Sequence, residues 1–313
     1  MDTPTPDRPA TPPAGPAAHR PAPGARWTDL DRPPLDERAL RRALVRPGAL
    51  WSDLTVVART GSTNTDLLAR AAGAAVGEGA VLVAEEQSSA RGRLDRRWSA
   101  PPRSGLFFSV CLTPGVPIER WGWLPLLAGV ATATALSRVA GVDTALKWPN
   151  DLLVTVAGEE RKAGGILAER VVPRPGVADP GGVVLGIGLN VSLSAGELPV
   201  PQAGSLALAG ARTTDRDPLL RAVLRSLEHW YGLWREAGGD PGACGLQETY
   251  AAGCSTLGRP VRALLPGDRE LRGVAEAVDG DGRLVLRTED GERRPVDAGD
   301  IVHLRPQEGT ITG

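Results

Sequence analysis

Apolar residues fall along this chain in two rhythms. Short, nearly unbroken runs at residues 80–83, 106–112 and 183–191 predict buried strands, and another strand is expected over 55–59. Elsewhere the apolar side chains return every three or four residues: Leu40 with Leu44, then Leu124, Leu127, Ala128, Ala131 and Ala135, then Leu219, Leu220, Val223, Leu224, Leu227 and Trp230. That spacing predicts helices over 35–45, over 121–139 and beyond Asp215, with a shorter one near 246–252. Residues 146–154 read as two short strands broken by Pro149-Asn150, and Lys162 opens a further strand. From Gly258 onward short alternating stretches at 260–265, 271–278, 283–287, 292–296 and 301–304 are separated by Asp279-Gly280-Asp281-Gly282 and Asp290-Gly291, which predicts a small antiparallel barrel. Residues 1–26, rich in Pro and Ala and without periodicity, are expected to be a disordered leader.

A chain of 313 residues suits one large domain and one small one. The expected boundaries are a leader at 1–34, a large domain at 35–256, a barrel at 257–305 and a tail at 306–313. Charge is balanced, 36 Lys plus Arg against 37 Asp plus Glu, which excludes a global attraction to nucleic acid and makes any basic site local. Cys111, Cys244 and Cys254 are odd in number and lack metal-ligand spacing, as in a reducing compartment. With no signal peptide and no apolar run of about 20 residues, a cytoplasmic protein away from membranes is expected.

The densest chemistry follows the second predicted strand. Arg91, Arg93, Arg96 and Arg97 surround Gly92 in a connection between two core strands. Glycine lets the backbone turn tightly and approach a ligand, and guanidinium groups make forked hydrogen bonds to phosphate or carboxylate. Gly61-Ser62-Thr63-Asn64 leads into a helix, with Thr63 and Asp66 spaced as a capping box; hydroxyls and backbone N–H groups there suit a polar ligand head. Lys147 and Asp151 flank a turn in an apolar frame, where charge must be paired or face a ligand. Lys162 precedes Gly164-Gly165, so a substrate has access to backbone beside an ammonium group. Gly186 and Gly188 lie in a buried strand that ends on Asn190, a polar group in need of a partner.

Taken in order, Gly61-Ser62-Thr63-Asn64, Gln87 with Arg91-Gly92-Arg93 and Arg96-Arg97-Trp98, Lys147-Trp148-Pro149-Asn150-Asp151, Lys162 with Gly164-Gly165-Ile166-Leu167, and Gly186-Ile187-Gly188-Leu189-Asn190 resemble bacterial biotin protein ligases over residues 36–305. The resemblance implies an α+β fold: a mixed-sheet catalytic domain of the biotin/lipoate ligase type flanked by helices, then an SH3-like C-terminal barrel. It implies that biotin is activated with MgATP to biotinyl-5′-adenylate and passed to one lysine of the biotin carboxyl carrier domain of an acyl-CoA or pyruvate carboxylase. Lys162, Arg93 and Arg96 would then be catalytic. Ser62, Thr63, Asn64, Gln87, Arg91, Gly92, Arg93, Lys162 and Gly165 would bind biotin. Arg93, Arg96, Trp98, Lys147, Asn150, Lys162 and Asn190 would bind ATP, and Asp151 would help to hold Mg²⁺. Ala90 and Asp95 stand where the family's loop carries glycine, and Leu94 where some relatives have a base. A lipoate ligase or octanoyl transferase on the related fold is the alternative. The short stretch before residue 55 leaves no room for a winged helix, so a DNA-binding repressor is not expected. A monomer or weak homodimer is.

Overall fold

Period-two alternation gives the main sheet two different faces. Its strands are β1 (Asp53–Val57), β2 (Ala80–Ala84), β3 (Gly105–Leu112), β4 (Thr144–Lys147), β5 (Asp151–Val156), β6 (Glu159–Arg170) and β7 (Val183–Asn190), in the spatial order β1-β2-β3-β7-β6-β5-β4. β1 and β2 run parallel and the other neighbours antiparallel. Val81, Val83, Leu106, Phe108, Val110, Leu112, Leu185, Ile187 and Leu189 belong to one large core. Their neighbours in sequence, Leu82, Cys111 and Val184, belong to a smaller cluster with Leu67 and Ala71 on the other side. Between them that second face carries Ser109, Gly186, Gly188 and Asn190, which are not core residues of either cluster.

The computed structural model describes residues 32–93, 98–176, 181–265, 269–296 and 300–303. The expected leader up to residue 31, Arg96 with Leu94, Asp95 and Arg97, and the tail at 306–313 lie outside the described residues. The chain divides into Met1–Pro33 and Pro34–Gly313, and the second unit is described here.

Five helices accompany the sheet among the described residues: α1 (Glu37–Leu44), α2 (Thr63–Ala72), α3 (Leu124–Ala140), α4 (Arg216–Glu236) and α5 (Leu246–Gly253). Leu40 and Leu44 of α1 are buried at the expected four-residue step. On α4, Leu219, Leu220, Val223, Leu224 and Leu227 are buried as expected, but Trp230 is only half-buried and Tyr231 and Trp234 take its place in the core. The single helix expected from residue 121 is a 3₁₀ turn, Ile118–Trp123, running into α3. Pro125, which has no N–H to give the preceding turn, sits in the first turn of α3 and starts it afresh. Together Ile118–Ala140 is long and apolar enough to cross a membrane by length and composition alone. Leu124, Leu127, Ala128, Ala131 and Ala135 account for that character, because they fill the core.

Strands β8 (Pro260–Leu265), β9 (Arg269–Val278), β10 (Leu284–Arg287), β11 (Arg293–Val296) and β12 (Asp300–His303) form an antiparallel sheet in the order β11-β10-β9-β8-β12, the small SH3-like unit expected from the turn signals. Its Val261, Ala263, Leu284 and Leu286 join the large core. The turn at 279–282 is held from the other side: Arg120 donates to Gly280 O (2.7 Å), Trp123 Nε1 to Asp279 O (3.1 Å) and Trp148 Nε1 to Gly282 O (3.0 Å). Contact is backbone to backbone, since a Cβ on Gly122 would lie 2.2 Å from Asp281 O.

His303 closes this junction, with Nε2 3.2 Å from Thr256 Oγ1 and Nδ1 3.4 Å from Arg259. Burial, and then the cations Lys147 and Arg259, push its pKa down to about 4, with Glu160 opposing. The unfolded chain takes up this proton below about pH 6.5, the folded one only near the depressed value, so His303 contributes stability above that window and loses it as pH falls through it. His303→Gln should therefore flatten the fall in urea midpoint between about pH 6.5 and about pH 5. Parallel profiles for variant and parent would refute the assignment.

Candidate functional site

Glycines facing one another leave a bare trough on the second face. Gly165 of β6 and Gly188 of β7 are direct partners. A Cβ on either would lie 3.7 or 3.6 Å from the indole of Trp98, an ordinary van der Waals distance, so a narrow space separates the ring from the bare backbone. Lys162 enters the same space: its Nζ is 3.5 Å from that Gly165 position, 5.7 Å from the Trp98 ring centroid and 2.5 Å from Asp151 Oδ1. At the neighbouring position a Cβ on Gly186 would come within 2.1 Å of Asn64 Oδ1.

A β-bulge puts Lys162 there. Gly164 pairs with Leu152 and Lys162 with Leu153, so Ala163 is the extra residue. Ala163 turns into the core and the lysine, which regular alternation would place on the core side with Ile166, comes over to the trough. The strand also begins three residues earlier than expected, at Glu159. Ala157 (φ 51°) and Gly158 (φ 84°) form a two-residue left-handed hairpin turn that joins Val156 to Glu159 and fixes the register.

At one end of the trough lies a cluster of buried hydroxyls that forms the wall of a candidate pocket. Ser62, Thr63 and Asn64 are all buried at the start of α2. Ser62, not Thr63, is the N-cap: its hydroxyl takes the N–H of Thr65 (3.5 Å), while Thr60 holds Asp66, the acid expected to complete a box with Thr63. Thr63 is thereby released to face Gln87, whose Oε1 accepts from Thr63 N (2.8 Å) and Oγ1 (3.2 Å). The Ser109 hydroxyl lies 2.7 Å from Thr63 Oγ1 and 2.6 Å from Asn64 Oδ1. Asn64 Nδ2 donates to Leu167 O (3.2 Å) and Glu169 Oε2 (2.8 Å). With both ends of its amide engaged, Asn64 braces the pocket wall.

At the other end the segment around Ala203 joins Lys162 to Asn190. Lys162 N donates to Gln202 O and Gly204 N to Lys162 O (both 2.8 Å), and Asn190 Nδ2 donates to Gly204 O (2.9 Å). Asn190 Oδ1 and Trp98 Nε1 are buried and have no protein partner. One acceptor and one donor left over beside a trough are what a bound polar ring would satisfy.

The turn before β5 contains a cis Trp148-Pro149 bond. Asn150 Nδ2 donates to Ile166 O (2.8 Å) and Ile166 N to Asn150 O (3.0 Å), which ties the turn to β6 and leaves Asp151 against Lys162. Lys147 is Asp151's partner in the β4–β5 register. Arg91 reaches Thr65 Oγ1 (3.1 Å) and Glu169 Oε1 (3.6 Å), and Gly92 and Arg93 follow it, half-buried. Among the described residues no three His, Cys, Asp or Glu side chains form a metal cluster. A magnesium ion that keeps its waters and shares a nucleotide's phosphates needs only one or two carboxylates, and Asp151, beside Lys162, is a carboxylate at this place.

Ser109, Glu169 and the segment 202–204 were not singled out from the sequence. Ser109 had left a signal, a lone hydroxyl within Leu-Phe-Phe-Ser-Val-Cys-Leu. Glu169 and the segment had left none, because their partners lie far away in the chain.

Comparison with known proteins agrees with this geometry. The family described as "Biotin/lipoate A/B protein ligase family" matches residues 56–190, and "Biotin protein ligase C terminal domain" matches 256–304. The "Biotin--[acetyl-CoA-carboxylase] ligase" of Mycobacterium tuberculosis is 44% identical over 284 residues, which are 89% of this chain and 100% of that one. The "Bifunctional ligase/repressor BirA" of Escherichia coli is 31% identical over 77% of this chain and 70% of its own length. Among solved structures, the Aquifex aeolicus biotin protein ligase in complex with biotin and ATP superposes with a TM-score of 0.64 at 25% identity, over 82% of this chain and all of that one. The bare trough, the lysine beside it and the hydroxyl pocket at its end thus stand in a chain that belongs to the biotin protein ligase family.

Proposed function

We infer that this protein joins biotin to the biotin carboxyl carrier domain of an acyl-CoA carboxylase in two steps, through biotinyl-5′-adenylate. The observation that carries the reading is the Lys162 ammonium poised above paired glycines, one trough's length from the hydroxyl pocket. Ser62, Thr63 and Gln87 offer donors and acceptors to the ureido head of biotin. Gly165, Gly188 and Trp98 line a slot for its chain, and Lys162 waits where its carboxylate would arrive. In the first step a carboxylate oxygen attacks the α-phosphorus of ATP, the bond from that phosphorus to the bridging oxygen breaks, and pyrophosphate leaves. Two anions must approach each other, so Lys162, Arg93 and Arg96 serve by screening them and by holding the charge that builds on the phosphoryl oxygens. Magnesium, held by Asp151 with the nucleotide's own oxygens, would supply further neutralisation. Asn190 Oδ1 and Trp98 Nε1 are left for the adenine, with Lys147 and Asn150 on the same nucleotide side. In the second step the carrier lysine's amine attacks the acyl carbon, AMP leaves and the amine gives up its proton.

The boundaries that fit this division are a catalytic domain at 35–256 and a C-terminal domain at 257–305. On this reading the enzyme works in the cytoplasm, where ATP and carboxylase acceptors occur, and we take it as a monomer or weak homodimer without a nucleic-acid partner. Incubation with ATP, an apo carrier domain and either biotin, lipoate or octanoate, read by intact mass, tests the reading. Labelling by biotin alone is expected. Labelling by lipoate or octanoate in its place would reassign the enzyme.

A further inference from the structure

Arg91 opens the cationic loop, and its guanidinium is engaged by protein groups beside the α2 start. The loop is pinched at its base, where Trp98 N donates to Ala90 O (3.0 Å) and Ala90 is buried. Up to the pinch the chain is stitched to the strand–helix connection, with Ser88 N on Thr60 O (3.0 Å) and Ser89 N on Gly61 O (2.9 Å). Arg91 is the first residue beyond it. Its guanidinium lies over the first turn of α2, on Thr65 Oγ1 and beside Glu169, the same carboxylate that receives Asn64 Nδ2. Glu169 therefore links the inner wall of the head pocket to the departure point of the loop.

We propose that Glu169 is a positioning residue for biotin, and that Arg91 acts as a strut that it holds and not as part of the anion clamp. One Glu169 oxygen, Oε2, fixes the Asn64 amide. The other, Oε1, faces the Arg91 guanidinium, so that the loop backbone at 90–92 is presented to the pocket while its first positive charge is neutralised by protein. The cations already assigned to screening phosphate and carboxylate, Arg93, Arg96 and Lys162, are unchanged by this assignment. The proposal rests on the head-pocket reading above.

Glu169→Gln isolates the effect, since the amide oxygen still accepts from Asn64 while the charge opposite Arg91 is gone. The two side chains are 28% and 44% exposed, so the link is screened by solvent and its loss should raise the KM for biotin by about fivefold at low salt. The kcat at saturating biotin and the KM for ATP should stay within about twofold. Because the link is an ion pair, added salt should raise the parent's KM toward that of the variant and change the variant's little, which a purely structural role would not produce. Arg91→Gln gives a second view: its effect should be of the same size, the double variant should be no worse than either single one, and Arg91→Lys should recover part of the loss. A Glu169→Gln enzyme with the parent's KM for biotin overturns the proposal. So does an Arg91→Gln enzyme that loses adenylate formation at saturating substrate, which would place Arg91 among the screening cations. The parent's own labelling of the carrier by biotin is the control: if that fails, the head-pocket reading falls first and the proposal with it.

Discussion

Lys162→Ala should lower the rate of pyrophosphate release from biotin and ATP by about a thousandfold, while the folded state persists. Loss of one well-placed donor to charge developing in a transition state costs on the order of 10²–10³ in rate. Lys162 is asked to touch both the attacking carboxylate and the phosphoryl group, so the upper end applies. The fold should tolerate the change. The Lys162 side chain is 36% exposed and its partner Asp151 22%, and a pair this open to water contributes at most about 1 kcal/mol. Lys162→Arg should recover part of the activity but not all, because a planar fork replaces a compact ammonium in a slot between Trp98 and the glycine floor. Near-normal pyrophosphate release by the alanine variant, with an unchanged thermal transition, would remove Lys162 from the chemistry.

That lysine also shows what could be read from the sequence and what could not. Apolar rhythm located β3 and β7 almost to the residue, Gly105–Leu112 and Val183–Asn190, because strands buried on both faces are unbroken apolar runs. Gly164-Gly165 beside Lys162 marked a place where the backbone lies bare, and there Lys162 and Trp98 face Gly165. Which face the lysine takes was hidden, since the bulge at Ala163 is a property of pairing with Leu152 and Leu153, not of local spacing. The cap on α2 was misplaced by one residue for a similar reason. Ser62 and Thr63 have the same capping chemistry, and the choice between them follows from Gln87, 24 residues on, and Ser109, 46 residues on. Trp148 carries the same lesson. In the motif it stands among candidate nucleotide-binding residues, whereas in the fold it is buried and gives its indole N–H to Gly282 of the small domain.

The second large effect is expected at a pair that carries no chemistry. Glu85 and Arg216 are 6% and 5% exposed, and Arg216 NH1 lies 2.5 Å from Glu85 Oε2 and 3.4 Å from Gly105 O. The other oxygen of Glu85 accepts from Leu35 N (2.7 Å), and its carbonyl accepts from Arg103 N (2.8 Å). The end of β2, the start of β3, the first turn of α4 and the approach to α1 meet around this one ion pair, two residues before Gln87. Arg216→Met would leave the carboxylate buried opposite a thioether, and removal of one partner from a buried pair costs about 3–5 kcal/mol. A fall in Tm on the order of 10 °C is expected, with a matching shift in urea midpoint. The double variant Glu85→Gln/Arg216→Met should regain more than half of that loss, because the amide oxygen still accepts from Leu35 N and no uncompensated charge remains. If instead the double variant is as unstable as the sum of its parts, the cost lies in packing at the start of α4. An Arg216→Met protein as stable as the parent would mean that water reaches Glu85, and that the loop carrying Gln87 has some other anchor.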